Sequence, residues 1–112
     1  MPSRQALQQE DTFFRIMKML HHNTNVSQRM LAQQVGLSLG GLNYCLKLLV
    51  SRGWVRVESE SGRQRLAYML TQGGHEAMQA IGQRFLQPKT VELRALQAEI
   101  DAMRQYSVEA TA

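Results

Sequence analysis

A chain of 112 residues, 44% of them hydrophobic, can bury one small core and fold as one domain. No stretch approaches the ~18 apolar residues of a membrane span, the opening MPSRQALQQED lacks the apolar centre of a signal peptide, and the lone Cys45 excludes an internal disulfide and a cysteine-based zinc site while fitting a reducing cytoplasm. The net charge of +4 is uneven: residues 1–88 hold ten Lys/Arg and five Asp/Glu, giving +5, and residues 89–112 hold three and four, giving −1, so the basic charge that suits a polyanionic partner lies ahead of the C-terminal segment.

Residues 1–10 read as a flexible lead-in. A first helix is expected from Asp11 or Thr12, with Phe13, Ile16, Met17 and Leu20 on one face and Arg15 and Lys18 on the other. Phe13 and Phe14 sit inside that stripe, which favours core packing over a base-stacking platform. His21 to Asn25 reads as a polar loop, and two adjacent histidines on a helix would point apart, so no metal site is expected there.

The central stretch is SQRMLAQQVGLSLGGLNYCLKLLVSRG, residues 27–53. Ser27 and Ser38 are N-cap candidates, because a serine oxygen can accept a bond from an orphan amide of the first turn. Val35, Gly36 and Leu37 make the turn between two helices. Gly53 suits the left-handed position after the second, and Trp54 can fold back as its hydrophobic partner. Two helices with a short Gly-containing turn form a helix-turn-helix, whose second helix enters the DNA major groove.

In the first helix of that motif, Leu31, Ala32 and Val35 face inward. Gln28 and Arg29 lie in the first turn, where amides and dipole favour an anion such as a phosphate; a merely solvated helix start accounts for either one equally well. In the second helix, Leu42, Cys45, Leu46 and Leu49 follow the spacing of a buried stripe, which makes Cys45 a buried, inert thiol. Ser38, Gly40, Gly41, Asn43, Tyr44 and Lys47 are left toward the front. Asn can bond an adenine edge through two hydrogen bonds, Lys can reach guanine or phosphate, and Tyr can bond phosphate or pack on a thymine methyl. Each of the two glycines opposes helix formation by about 1 kcal/mol relative to Ala. Close approach to another surface, DNA among them, or tight packing on the preceding helix would explain their presence.

Residues 54–70 change period. WVRVE and RLAYML alternate, with SESGRQR between them, and predict a β-hairpin with a polar loop around Gly62. Arg63 and Arg65 sit where such a wing reaches the minor groove or its phosphates; Glu58 and Glu60 offer the alternative of a surface ion-pair network. Thr71 caps a further helix with Met78, Ile81 and Phe85 or Leu86 on its apolar face. Pro88 is expected to bend the chain or open a new helix. Beyond it, Leu93, Leu96, Ile100 and Met103 are spaced 3, 4, 3, the seam of a coiled coil. That helix either packs back on its own domain or pairs with a second copy, and the narrow seam favours a homodimer. The final residues are expected to be disordered.

The order of elements resembles the MarR-type winged-helix regulators, and more closely their short branch associated with exopolysaccharide gene clusters. The resemblance rests on SQRMLAQQVGLSLGGLNYCLKLLVSRGWV, on YMLTQGG after the wing, and on the RFL…ELRALQAEIDAMR tail, and spans roughly residues 10–105. SQRMLAQQVGLS alone is generic helix-turn-helix; LSLGGLNYCLKLLVSRGWV is more specific. The resemblance implies a homodimeric, sequence-specific regulator of double-stranded DNA. It places Gly40, Gly41, Asn43, Tyr44 and Lys47 on the recognition helix and Arg63 and Arg65 on the wing. The larger family frames its dimer with extra terminal helices and often binds phenolic effectors between domains. This chain has little before Asp11 and one long helix after Pro88, which leaves a small-molecule effector open, and its wing carries Ser61, Gly62 and Arg63 in place of the Asp-x-Arg pattern common in that family.

The expected fold is therefore mainly α with a small β-hairpin. A winged helix-turn-helix at 11–71 is followed by a helical, coiled-coil-like dimerisation region at 72–105 and a disordered tail at 106–112. No cofactor, metal or catalytic site is expected, since neither a nucleophile–base spacing nor a phosphate-binding glycine loop is present. The alternative function is a winged-helix adaptor that binds protein and reads no DNA sequence.

Overall fold

The computed structural model describes residues 3–23, 26–59 and 66–111. Among them the elements follow in the order α1 (Arg4–His22), α2 (Gln28–Val35), α3 (Leu39–Ser51), β1 (Val55–Ser59), β2 (Leu66–Leu70) and α4 (Gln72–Thr111). The expected class holds: mainly α, with one antiparallel hairpin.

α1 starts well ahead of Asp11. The Ser3 hydroxyl accepts the Ala6 N–H at 3.1 Å, and this cap is followed by good helix formers in RQALQQ. The stretch expected as a flexible lead-in is thus helical from Arg4 onward. At its other end α1 takes in His21 and His22, expected in a loop, and stops at Asn23, whose backbone N–H bonds the Met19 carbonyl at 2.9 Å.

α2 and α3 form as their caps dictate. Ser27 accepts the Met30 N–H at 3.1 Å, and Ser38 accepts the Gly41 N–H at 3.0 Å. Both helices end in the same way. Gly36 and Gly53 each take φ 76°, a left-handed conformation that a Cβ would strain. At the first, Leu37 N–H bonds Ala32 O at 2.9 Å and Gly36 N–H bonds Gln33 O at 3.3 Å; at the second, Trp54 N–H bonds Leu49 O and Gly53 N–H bonds Val50 O, both at 3.0 Å, in each case the paired closing bonds of a Schellman motif. The Trp54 ring stands edge-on to Phe13, with centroids 6.3 Å apart, and the Arg52 guanidinium lies 5.0 Å from the centre of each ring. This cation–π contact fixes the exit of α3 against α1.

The chain divides into two compact units, Met1–Ile81 and Gly82–Ala112. In the first, α1 packs on α2 and β2, α2 on α3, and α3 on β1. Phe13, Ile16, Met17, Leu31, Leu42, Leu46, Leu49, Val55 and Ile81 are buried there. Burial of Ile81 carries this body past the expected boundary at Thr71. The hairpin pairs Val55 with Leu70, Val57 with Tyr68 and Ser59 with Leu66. Thr71 caps α4 as expected: its hydroxyl accepts the Gly74 N–H at 3.0 Å and donates to the Gly53 carbonyl, while its own N–H bonds Trp54 O at 3.0 Å. One residue thus holds the start of α4 against the end of α3.

The second unit is helical throughout its described backbone. α4 runs through Pro88, so no new helix opens there, and on to Thr111, where disorder was expected. The proline removes one i→i−4 bond, and the Thr90 hydroxyl adds a bond to the Leu86 carbonyl at 2.7 Å. Past Pro88 no glycine or second proline interrupts the helix. Leu93, Leu96, Ile100 and Met103 are exposed to 65%, 55%, 41% and 67%.

Candidate nucleic-acid interface

α3 turns one face to the core and another to solvent. Burial of Leu42, Leu46 and Leu49 fixes the rotation of the helix, and the 3.6-residue period then sets Gly40, Asn43, Tyr44 and Lys47 on the outside. All four are exposed, Tyr44 to 62%. Ser38 is exposed at the cap, and Arg29 is exposed in the first turn of α2. Neither first turn carries an acidic residue, so the positive ends of both helices stay unneutralised by their own chain. The front is polar and basic, with hydrogen-bond donors and acceptors of several kinds.

The two glycines separate. A Cβ at Gly40 would meet nothing within 4 Å, so packing on the preceding helix does not explain it. A Cβ at Gly41 would come within 3.1 Å of Ser38 Oγ, and Gly41 therefore leaves the cap its room. Gln28 differs from the freely exposed residue expected. It is half-buried, and its side-chain amide donates to the Tyr68 hydroxyl at 3.1 Å, tying α2 to the hairpin. Cys45 is half-buried where full burial was expected. Burial still pushes its thiol pKa up, away from the reactive thiolate.

On the hairpin, Arg56 pairs with Glu58 at 3.0 Å, so Glu58 already has a cationic neighbour on its own strand. Arg63 and Arg65, expected on the wing, lie outside the described residues, as do Glu60 and Gly62. Between α3 and the hairpin lies a cavity of about 250 Å³ lined by Leu46, Lys47, Val50, Ser51, Val57 and Tyr68. It is mostly apolar, and Val57 of β1 is 39% exposed.

Two further apolar residues near the helix starts are exposed. Leu39, in the first turn of α3, is 47% exposed, and Met30 is 48% exposed. Leu39 continues the 3, 4, 3 spacing of Leu42, Leu46 and Leu49 and stands directly after the cap serine, so its spacing reads as core and only its exposure sets it apart. The histidines also come together across the sequence. The His21 ring lies 5.2 Å from both His22 and His75, centroid to centroid. Among the described residues, no group of three or more His, Cys, Asp or Glu side chains could hold a metal ion.

The arrangement of capped α2, left-handed Gly36, capped α3 and antiparallel hairpin decides the architecture. The fold is a winged helix-turn-helix. Residues 10–56 match the family model described as winged helix-turn-helix DNA-binding. A comparison with curated proteins gives no match. Among solved structures, the PcaV transcriptional regulator from Streptomyces coelicolor is 19% identical, with 88% of this chain and 77% of that one covered and a TM-score of 0.70. The transcriptional repressor CouR bound to a 23-mer DNA duplex is 19% identical, with 96% and 86% covered and a TM-score of 0.66. MarR of Staphylococcus aureus, in complex with salicylate and kanamycin, is 16% identical, with 83% and 67% covered and a TM-score of 0.60. At these identities the likeness is one of fold. No helix among the described residues is long and apolar enough to cross a membrane.

Proposed function

We propose that this protein is a cytoplasmic, sequence-specific DNA-binding transcription regulator that acts as a homodimer on an inverted-repeat operator. The observation that carries this reading is the outer face of α3. A capped helix inside a winged helix-turn-helix exposes Gly40, Asn43, Tyr44 and Lys47 together, which are the side chains and the backbone clearance that major-groove reading needs. CouR, which shares the fold, is bound to a DNA duplex.

In this mechanism Asn43 reads an adenine edge, Lys47 reaches guanine or phosphate, and Tyr44 bonds phosphate or packs on a thymine methyl. Ser38, Gly41 and Arg29 frame the helix ends toward phosphate. Gln28 gives one amide hydrogen to Tyr68 and keeps the other for the backbone of the duplex. Arg63 and Arg65 add minor-groove or phosphate contacts from the wing. Leu93, Leu96, Ile100 and Met103 join two copies, which sets two α3 helices roughly 34 Å apart on one face of the duplex. The resemblance to the exopolysaccharide-associated branch makes genes of that kind the first targets to examine.

Selection of bound duplexes from a random pool at physiological salt tests the reading. The expected product is an inverted repeat with half-sites about one turn apart. Weak, salt-sensitive retention without enrichment would instead favour the adaptor function, with the 89–105 helix as the surface for a protein partner.

A further inference from the structure

We infer that Leu39 is a specificity-determining residue that reads the C5-methyl group of a thymine in each half-site. The inference rests on the DNA-binding reading above and adds a base and an atom to it. Leu39 is the first residue of α3, directly after the cap serine. The N-terminal residues of a recognition helix are those that reach base edges. Its side chain continues the spacing of the buried Leu42, Leu46 and Leu49 but is 47% exposed; at this first turn the core leaves nearly half of the leucine in water. A leucine cannot donate or accept a hydrogen bond, and of the groups displayed in the major groove only the thymine methyl is apolar.

Two neighbours make the approach feasible. Gly40 follows, and a Cβ there would have nothing within 4 Å, so no side chain stands beside Leu39 to hold a base edge away. On the other side, Leu39 shares a shallow depression with Arg29, Gln33 and Leu37. A phosphate held by Arg29 and a methyl held by Leu39 would therefore belong to one contact, with the cation on the backbone and the apolar group on the base. A polar residue at this position would accept several bases, whereas leucine rewards thymine alone.

The test is a thymine-to-uracil scan of the selected operator, which removes one methyl at a time and leaves base pairing intact. Binding is measured for the wild-type chain and for Leu39→Ala, with circular dichroism to establish that the variant is folded. The expected result is one thymine per half-site where uracil lowers wild-type affinity about fourfold, the worth of one buried methyl group, and where Leu39→Ala is indifferent to the change. A wild-type protein indifferent to uracil at every position overturns the inference while leaving DNA reading intact. So does equal methyl sensitivity in both proteins. A random pool that yields no enriched duplex overturns the DNA reading itself, and the role of Leu39 with it. If Leu39→Ala does not fold, Leu39→Gln, which keeps the length of the side chain and loses its apolar end, takes its place in the same comparison.

Discussion

The side-chain amide of Gln28 donates to the hydroxyl of Tyr68 at 3.1 Å, joining the first turn of α2 to the middle of β2 across forty residues of sequence. Both side chains are half-buried, so the bond is partly shielded from water. A neutral bond of this kind contributes about 1 kcal/mol net. Tyr68→Phe and Gln28→Ala should each lower unfolding free energy by about 0.5–1.5 kcal/mol. The double variant should lose clearly less than the sum, since the two substitutions remove the same interaction. Strictly additive losses in urea unfolding would show that the bond does not hold the hairpin to α2.

Gly74 and Gly40 should respond in opposite directions to alanine. A Cβ at Gly74 would run into the Trp54 carbonyl, which already accepts the Thr71 N–H, and neither partner can retreat without breaking the α4 cap. Gly74→Ala is expected to cost about 1–3 kcal/mol. Gly40 has open space around it, so Gly40→Ala should gain about 1 kcal/mol from helix propensity. The same methyl would stand on the face assigned to DNA. A raised melting temperature together with weakened operator binding is the expected pair of outcomes, and unchanged binding would remove Gly40 from the interface.

The legible parts of the fold were those where one residue carries one local rule. Ser27, Ser38, Gly36, Gly53 and Thr71 each act through their own hydroxyl or their own φ, and each took the place expected of it. The start of α1 was hidden because its cap, Ser3, lies ten residues before the first buried side chain, Phe13, and periodicity announces a helix only where it is buried. At Pro88 the local stop rule is outweighed, and the helix continues through the proline without opening a new one. The bond from Gln28 to Tyr68 and the meeting of His21 with His75 are contacts between distant segments and leave no local trace. Leu39 has the spacing of a core leucine, and only its exposure shows that the core covers no more than about half of it.

Cys45 should behave as a protected thiol. Its half-buried position raises its pKa by desolvation, which lowers the thiolate fraction at any pH below that value. Alkylation at pH 8 should be much slower in the folded chain than in urea, and Cys45→Ala should leave operator affinity unchanged. Fast labelling of the folded protein, or loss of DNA binding on mild oxidation, would show instead that this thiol is reactive.

The seam on α4 offers the sharpest test of assembly. Ile100 is the least exposed of its four residues and is still 41% exposed in the single chain, so a charge placed there costs little packing within one copy. Its whole effect should fall on association. The wild-type protein should sediment as a dimer, and its melting temperature should rise with concentration, because a partner that binds only the folded state stabilises it by mass action. Ile100→Glu should sediment as a monomer with a melting temperature independent of concentration. It should keep weak binding to an isolated half-site. On the full inverted repeat its affinity should fall on the order of a hundredfold, since the second half-site would no longer be engaged at the high effective concentration that a linked partner provides. A dimeric Ile100→Glu protein would place the joint between copies elsewhere and leave this stripe to a different partner.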